Sequence, residues 1–403
     1  MKSISRSLPA LALLTLVTST LGATFKEDVD FLKKHTDVIV LRDASKQAQV
    51  ALVADYQGRI MTSTATGPKG RSHGWVNREL IASGKTEPHI NVFGGEDRFW
   101  LGPEGGQYSI FFGPEAKFDL EHWFTPAAID TEPFTVAKAT KTSARFTRDM
   151  VLTNYSGTIL QLNVDRTVRL VDPAQTLAML GATLPPSVSA VGVESVNQIR
   201  NTGPMAWKKE TGLLSIWILG MFNASEQSTV IVPFVPGPES TLGNQVNDTY
   251  FGKVPADRLV VHDGVLFFRG DAQYRSKIGI SPSRARSIMG SYDAANHTLT
   301  LVQYTLPLKH QGYVNSMWEL QEEPFGGDVV NSYNDGPSAP GAKPLGQFYE
   351  LESSSPALAL QSGETAVHTH RTLHLEGPDD ALDAVAIQCL GVSLSQVRQA
   401  FDQ

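Results

Sequence analysis

Arg98, Trp100 and Glu104 lie within Gly94-Gly-Glu-Asp-Arg-Phe-Trp-Leu-Gly-Pro-Glu-Gly-Gly106, where two glycine pairs enclose an arginine, an indole and three carboxylates. Glycine lets the backbone turn, and lets a ligand approach, where a side chain would clash. An indole face stacks on sugar C–H bonds, while Arg and Glu make charge-assisted hydrogen bonds to hydroxyls. The segment reads as the edge of a site for a polyhydroxylated ligand.

A second concentration of chemistry runs from Met317-Trp-Glu-Leu-Gln-Glu-Glu-Pro-Phe-Gly-Gly-Asp328 into Asn331-Ser-Tyr-Asn-Asp-Gly336. Loops rich in acids, amides and aromatics commonly bind. Glu319, Asp328, Asn331, Tyr333, Asn334 and Asp335 can grip sugar hydroxyls, or a Ca²⁺ ion, which takes roughly six to eight oxygens. The competing reading is a loop that satisfies itself through Asx turns. Arg275 and Lys277, and Arg166 within an apolar strand face, are cations that need partners if buried. Each is either ion-paired in the core, the weightier reading, or turned toward an anionic ligand such as a uronic or sulfated sugar. Trp207 and Trp217 fit core packing better than a site.

His368, His370 and His374 share one face of a probable strand with Thr372. A His-x-His pair on a strand chelates a transition metal when further ligands complete the set, but no completing carboxylate is evident. Hydrogen-bonded core histidines are the reading taken, and no metal is assigned. The sequence has no G-x-S-x-G elbow, no P-loop and no G-x-G-x-x-G following a strand, so serine hydrolase, NTPase and nicotinamide chemistries lose support and no cofactor is expected. The lone Cys389 has no nucleophile signature and reads as core.

Strands must position these groups. Leu160 to Leu170 alternates apolar and polar residues, interrupted at Arg166, and follows the turn Asn154-Tyr-Ser-Gly157. With the alternating run Arg145 to Leu152 it forms a hairpin. Further strands are readable at 38–41, 50–56, 213–221, 229–233, 259–269, 298–306, 346–352 and 366–375. Helices are expected chiefly at the ends, over 26–34 and over 378–386 or 393–401. Residues 331–343 read as a functional loop. Many strands separated by Gly and Pro turns argue an all-β sandwich.

Lys2 and Arg6 precede the apolar run Leu8 to Val17, and Thr18 to Ala23 supply small residues, the pattern of a cleaved signal peptide over 1–23. The remaining residues, 24–403, are expected to form one domain, exported to the periplasm or secreted, with no membrane span after cleavage. Removing the leader, which has two basic residues and no acid, moves the net charge from −7 to −9. An acidic chain disfavours a nucleic-acid partner. One cysteine allows no internal disulfide, so the core alone must hold the fold. The sequons at Asn154, Asn223, Asn247 and Asn296 read as chance.

The run Tyr349-Glu-Leu-Glu-Ser-Ser-Ser-Pro-Ala-Leu-Ala-Leu-Gln-Ser-Gly-Glu364 is similar to the end of galactose mutarotase-like proteins, where a carboxylate-bearing strand leads through a proline to a turn before the last strand. With the Gly94 to Gly106 and Asn154 to Leu170 segments, the chain resembles an exported bacterial family of that aldose epimerase-like superfamily. The resemblance implies an antiparallel β-supersandwich whose concave face binds a saccharide. It also implies a carboxylate base, either Glu350 or Glu352, which share a strand face. A histidine acid is implied too. The superfamily's two histidine segments have no match, and His73-Gly74-Trp75 and His122-Trp123 are the nearest stand-ins. Three functions fit: an aldose epimerase-like enzyme using carboxylate and histidine, a glycan-cleaving hydrolase or lyase, or a non-catalytic carbohydrate-binding protein.

Overall fold

A computed structural model describes residues 22–402 apart from 263, 311 and 340, so the expected signal peptide lies almost wholly outside the described residues. The fold is antiparallel throughout its ladders. Strands β1 (Val38–Arg42), β2 (Gln49–Val53) and β3 (Arg59–Thr64) make a small meander. The others are β4 (Arg98–Gly102), β5 (Thr135–Ala139), β6 (Ser143–Thr153), β7 (Ile159–Val171), β8 (Ser189–Asn201), β9 (Ser215–Asn223) and β10 (Ser228–Pro233). They continue with β11 (Leu259–His262), β12 (Val265–Arg269), β13 (Ser276–Ile280), β14 (Ile288–Asp293), β15 (Thr298–Tyr304), β16 (Val330–Asn334), β17 (Phe348–Ser354) and β18 (Thr365–Glu376). Ten of them form one large sheet, ordered β11-β12-β10-β14-β15-β18-β8-β7-β6-β5, and five form a second, ordered β13-β16-β17-β9-β4.

The two larger sheets pack face to face. Phe99, Ile216 and Ile218 of the smaller sheet meet Leu162, Val164, Val193 and Ile199 of the larger one, while Ile278 and Leu351 meet Val230, Met289 and Val302. Leu351 is fully buried, and its truncation to alanine would cost about 2–5 kcal/mol. The expected hairpin forms, with Leu152 opposite Leu160. Arg166 lies within it and is structural. Its guanidinium donates to Asp97 Oδ1 at 2.6 Å and to Gly58 O at 3.1 Å, and also bonds Asn197.

The other face of the large sheet is covered by helices Asp379–Leu390 and Leu394–Gln399, whose Leu382, Val385, Leu394 and Val397 pack on Leu373, Leu375 and Leu301. Both helical alternatives at the C-terminus therefore form, as does the first helix, at Phe25–Leu32. Four short internal helices and a 3₁₀ turn at Leu120–His122 were not legible. Among the described residues, no helix is long and apolar enough to cross a membrane.

Two expectations about strands are corrected. Residues 259–269 form two strands paired antiparallel, because Gly264, at φ +88°, turns the chain in a conformation that disfavours other residues. Residues 330–334, expected at the start of a loop, form β16 and pair with both β13 and β17.

Candidate functional site

The open face of the five-stranded sheet is the floor of a cleft. Register fixes which side chains reach it, since alternate residues share a face. Glu350 and Glu352 stand on β17, the middle strand, opposite Tyr333 and Asn331 of β16 on one side and Met221 and Leu219 of β9 on the other. Arg98 and Trp100 of β4 pair with Leu219 and Trp217, and Lys277 of β13 pairs with Tyr333. The odd residues of β17, Tyr349, Leu351 and Ser353, turn into the sandwich, which explains why the strand is buried along its whole length.

Two adjoining cavities, of about 320 and 260 Å³, occupy the cleft and share Glu104, Trp217, Arg275, Lys277 and Trp318. One wall is a pair of segments that hold each other. Glu104 N donates to Ser316 Oγ at 3.2 Å, and Trp318 Nε1 donates to Glu104 Oε1 at 3.1 Å. Gln107 Nε2 donates to Gln321 O at 2.9 Å, and Gln321 N returns a bond to Gln107 Oε1 at 3.0 Å. The glycines here serve the chain rather than a ligand: a Cβ on Gly105 would stand 2.2 Å from Met317 O, and one on Gly94 would stand 2.1 Å from Trp75 O.

The two strand carboxyl groups differ in their surroundings. Glu352 is fully buried and accepts from Lys277 Nζ at 3.0 Å and from Trp217 Nε1 at 2.9 Å. Glu350 has one protein donor, Arg98 Nη2 at 3.3 Å. Burial raises the Glu350 pKa, the Arg98 charge opposes this, and the Glu352 carboxylate adds to the rise, leaving it at about 8. Burial disfavours the Lys277 ammonium, but Glu352, Glu104 and Glu350 outweigh it and keep its pKa above the ordinary value. Burial also raises Glu104, Asp328 and Asp335. The Arg98 guanidinium lies 4.0 Å over the Trp100 ring, and its Nε and Nη1 have no protein acceptor.

Most residues expected at the site come together. Arg98, Trp100, Tyr333, Asp335 and Glu350 line the smaller cavity, and Glu319, Asp328 and Asn331 line the larger, with Glu104, Arg275 and Lys277 in both. Glu352 lies beneath the floor. Asn334 does not face the cleft: it points to the opposite side of β16, where its amide bonds Ala272 N and Tyr274 O. The two histidine stand-ins are not brought there either. His73 is buried against β18, stacked on His374 with ring centroids 4.0 Å apart and 3.0 Å from Glu376 Oε1. His122 is part-exposed on its 3₁₀ turn, 2.6 Å from Asp119 Oδ1. Neither lines a cleft cavity.

Most of the acid and amide groups considered for calcium, though not the exposed Glu319, are engaged internally. Tyr250 Oη donates to Asp328 Oδ2 at 2.6 Å, and Tyr333 Oη donates to Asp335 Oδ1 at 2.7 Å. The His368 and His370 rings both bond Ser353 Oγ, at 2.8 and 2.9 Å, inside the sandwich. Burial holds their pKa values down, to about 3 and about 4. Among the described residues, no group of three or more His, Cys, Asp or Glu side chains is arranged to hold a metal ion.

Sequence reasoning missed the cleft roles of Trp217, Tyr250, Phe251 and Trp318. Trp318 stood within the acidic segment already singled out, so its neighbours were a usable signal. Trp217 sits in a strand buried on both faces, and nothing local distinguishes its cleft face from its core face.

The sequence matches the Family of unknown function (DUF6786) over residues 23–401. No curated protein matches the chain. Among solved structures it is similar to a candidate aldose 1-epimerase of Escherichia coli K12, at 10% identity and a TM-score of 0.50, covering 85% of this chain and 99% of that one. A galactose mutarotase-like protein of Lactobacillus casei ATCC 334 is similar at 9% identity and TM-score 0.46, covering 84% of this chain and 100% of that one. A candidate mutarotase of Salmonella typhimurium is similar at 11% identity and TM-score 0.43, covering 86% and 92%. The antiparallel sandwich is thus the galactose mutarotase-like fold, and the chain belongs to the Family of unknown function (DUF6786).

Proposed function

We propose that the cleft binds a saccharide and that Glu350 exchanges a proton with it. The observation that carries this reading is a buried carboxyl, with its pKa raised to about 8, in a cavity walled by Trp100, Trp217 and Trp318. Indole faces suit sugar C–H surfaces, and a carboxyl that is neutral near pH 7 can give a proton to an oxygen whose bond to carbon is breaking. Glu352, tied to Lys277 and Trp217, is a positioning residue whose charge adds to the burial that raises the Glu350 pKa. A sugar ligand agrees with the aldose 1-epimerase assignment carried by the Escherichia coli protein of the same fold. The epimerase-like reaction then needs a second group other than His73 or His122.

Glycan cleavage is a second reading, favoured by Glu104. Its carboxyl lines the same cavity as Glu350, and two carboxyl groups flanking one bond are what glycoside hydrolysis uses. One NMR experiment separates the readings. Wild type, Glu350→Gln and Glu104→Gln are mixed with single aldose anomers and with oligosaccharides. Faster anomer exchange, lost in Glu350→Gln alone, supports the epimerase-like reaction, and new reducing ends, lost in both variants, support cleavage. Absence of both conversions and of any saccharide binding by wild type rejects the proposal.

A further inference from the structure

Hydrogen bonding in the smaller cavity is unbalanced. Its acids are already engaged: Asp335 accepts from Tyr333 Oη at 2.7 Å and from Gly346 N at 2.7 Å, and Glu104 accepts from Trp318 Nε1. Lys277, which lines both cavities, is matched by Glu352 below it. The arginines are matched only in part. Arg98, only 2% exposed, gives one N–H to Glu350 and leaves Nε and Nη1 without an acceptor. Arg275, part-buried, lines both cavities with its guanidinium 4.0 Å over the Phe251 ring and reaches Tyr333 beside Asp335, but among the described residues it forms no salt bridge. Lys343, at the rim, has only an exposed partner, Glu79, and such a pair contributes little.

A buried guanidinium with unsatisfied donors is costly unless something supplies acceptors. Carboxylate and sulfate groups fit the planar fork of Arg better than a lone hydroxyl does, and gain from its charge. We propose that the ligand carries an anionic sugar unit, whose acid group is received by Arg98 and Arg275 at the Glu350 end of the cleft. This rests on the saccharide reading above. Glu350, faced by Arg98, Lys277, Glu352 and Asp335, is mostly neutral near pH 7 and so does not repel the incoming anion. The larger cavity, bounded by Tyr250, Asp328, Asn331 and Trp318, takes a neighbouring unit through stacking and hydroxyl contacts. The ligand is therefore at least a disaccharide with one charged end.

Calorimetric titration of wild type and Arg275→Gln with three disaccharides tests this: one of galacturonic acid, one of sulfated galactose and one of neutral galactose. Wild type should bind one of the charged sugars about tenfold or more tighter than the neutral one, and Arg275→Gln should weaken charged-sugar binding more than neutral binding, so that this preference collapses. Preference for the first charged sugar identifies a carboxylate, and preference for the second identifies a sulfate ester. Added salt should weaken charged-sugar binding to wild type, a reading that does not depend on the variant folding. Equal binding of all three, or an equal loss for all in Arg275→Gln, overturns the anionic unit but leaves the saccharide reading in place. No binding of any sugar overturns both.

Discussion

Glu350 and Glu352 project from one face of β17 two residues apart, yet Glu352 is held by both Lys277 and Trp217 while Glu350 meets only Arg98. Sequence left the two interchangeable. Their partners separate them: Glu352 is ion-paired with Lys277, while burial, with the Glu352 charge adding to it, raises the Glu350 pKa.

The raised Glu350 pKa has a consequence for stability. The unfolded group ionises near 4.5 and the folded one near 8, so between these values the folded state holds the extra proton. Stability contributed by the neutral group is present below pH 4.5 and is lost as pH rises toward 8. Glu350→Gln cannot ionise. Relative to wild type it should gain on the order of 2–4 kcal/mol between pH 5 and pH 8.5, measured by urea unfolding at both values. Parallel pH profiles would show that Glu350 ionises normally.

Lys277 and Glu352 should behave as a unit. Lys277→Met strands a buried carboxylate and Glu352→Gln strands a buried ammonium, so each should cost about 3–5 kcal/mol. The double variant should be more stable than either single one. Additive losses in a double-mutant cycle would mean that the ion pair contributes no coupling.

Trp318 is half-buried, stacked near Trp123 with ring centroids 5.8 Å apart. Trp318→Ala should weaken saccharide binding by about 1–3 kcal/mol and leave the circular dichroism spectrum strand-dominated. Unchanged affinity would move the ligand off this wall.

His122→Ala should leave saccharide turnover unchanged. The imidazole is part-exposed, pairs with Asp119 and lines neither cavity. A large fall in kcat would return His122 to the reacting centre.

We propose, from the N-terminal pattern alone, that the protein is exported and cut near Ala23. Thr24 caps the helix Phe25–Leu32, and its backbone N stands 2.8 Å from Glu27 Oε2. A new ammonium there would gain a carboxylate partner at a helix N-terminus. N-terminal sequencing of the exported protein should start at Thr24; a full-length chain recovered from the cytoplasm would refute it.

What could be read in advance follows from which signals are local. Alternation in Arg145 to Leu152 and Leu160 to Leu170 is a property of single strands with one wet face, so the hairpin was legible. Likewise, two-residue spacing was enough to put Glu350 and Glu352 on one face. β16 was hidden because Asn331 and Tyr333 face the cleft while Ser332 and Asn334 face inward, leaving polar residues on both sides. His73 and His122 were placed by nearness to a motif. Which side of a sheet a loop returns to depends on packing far along the chain, and no local pattern records it.

The reciprocal bonds between Gln107 and Gln321, and between Glu104 and the Ser316 to Trp318 segment, bear on the thermodynamics of recognition. Ordering a free side chain on binding costs about 0.5–1.5 kcal/mol of entropy. Here that ordering belongs to folding. A ligand meets a wall whose conformation is already set, so its contact enthalpy goes into affinity and into discrimination by shape, at the expense of accommodating ligands of different outline.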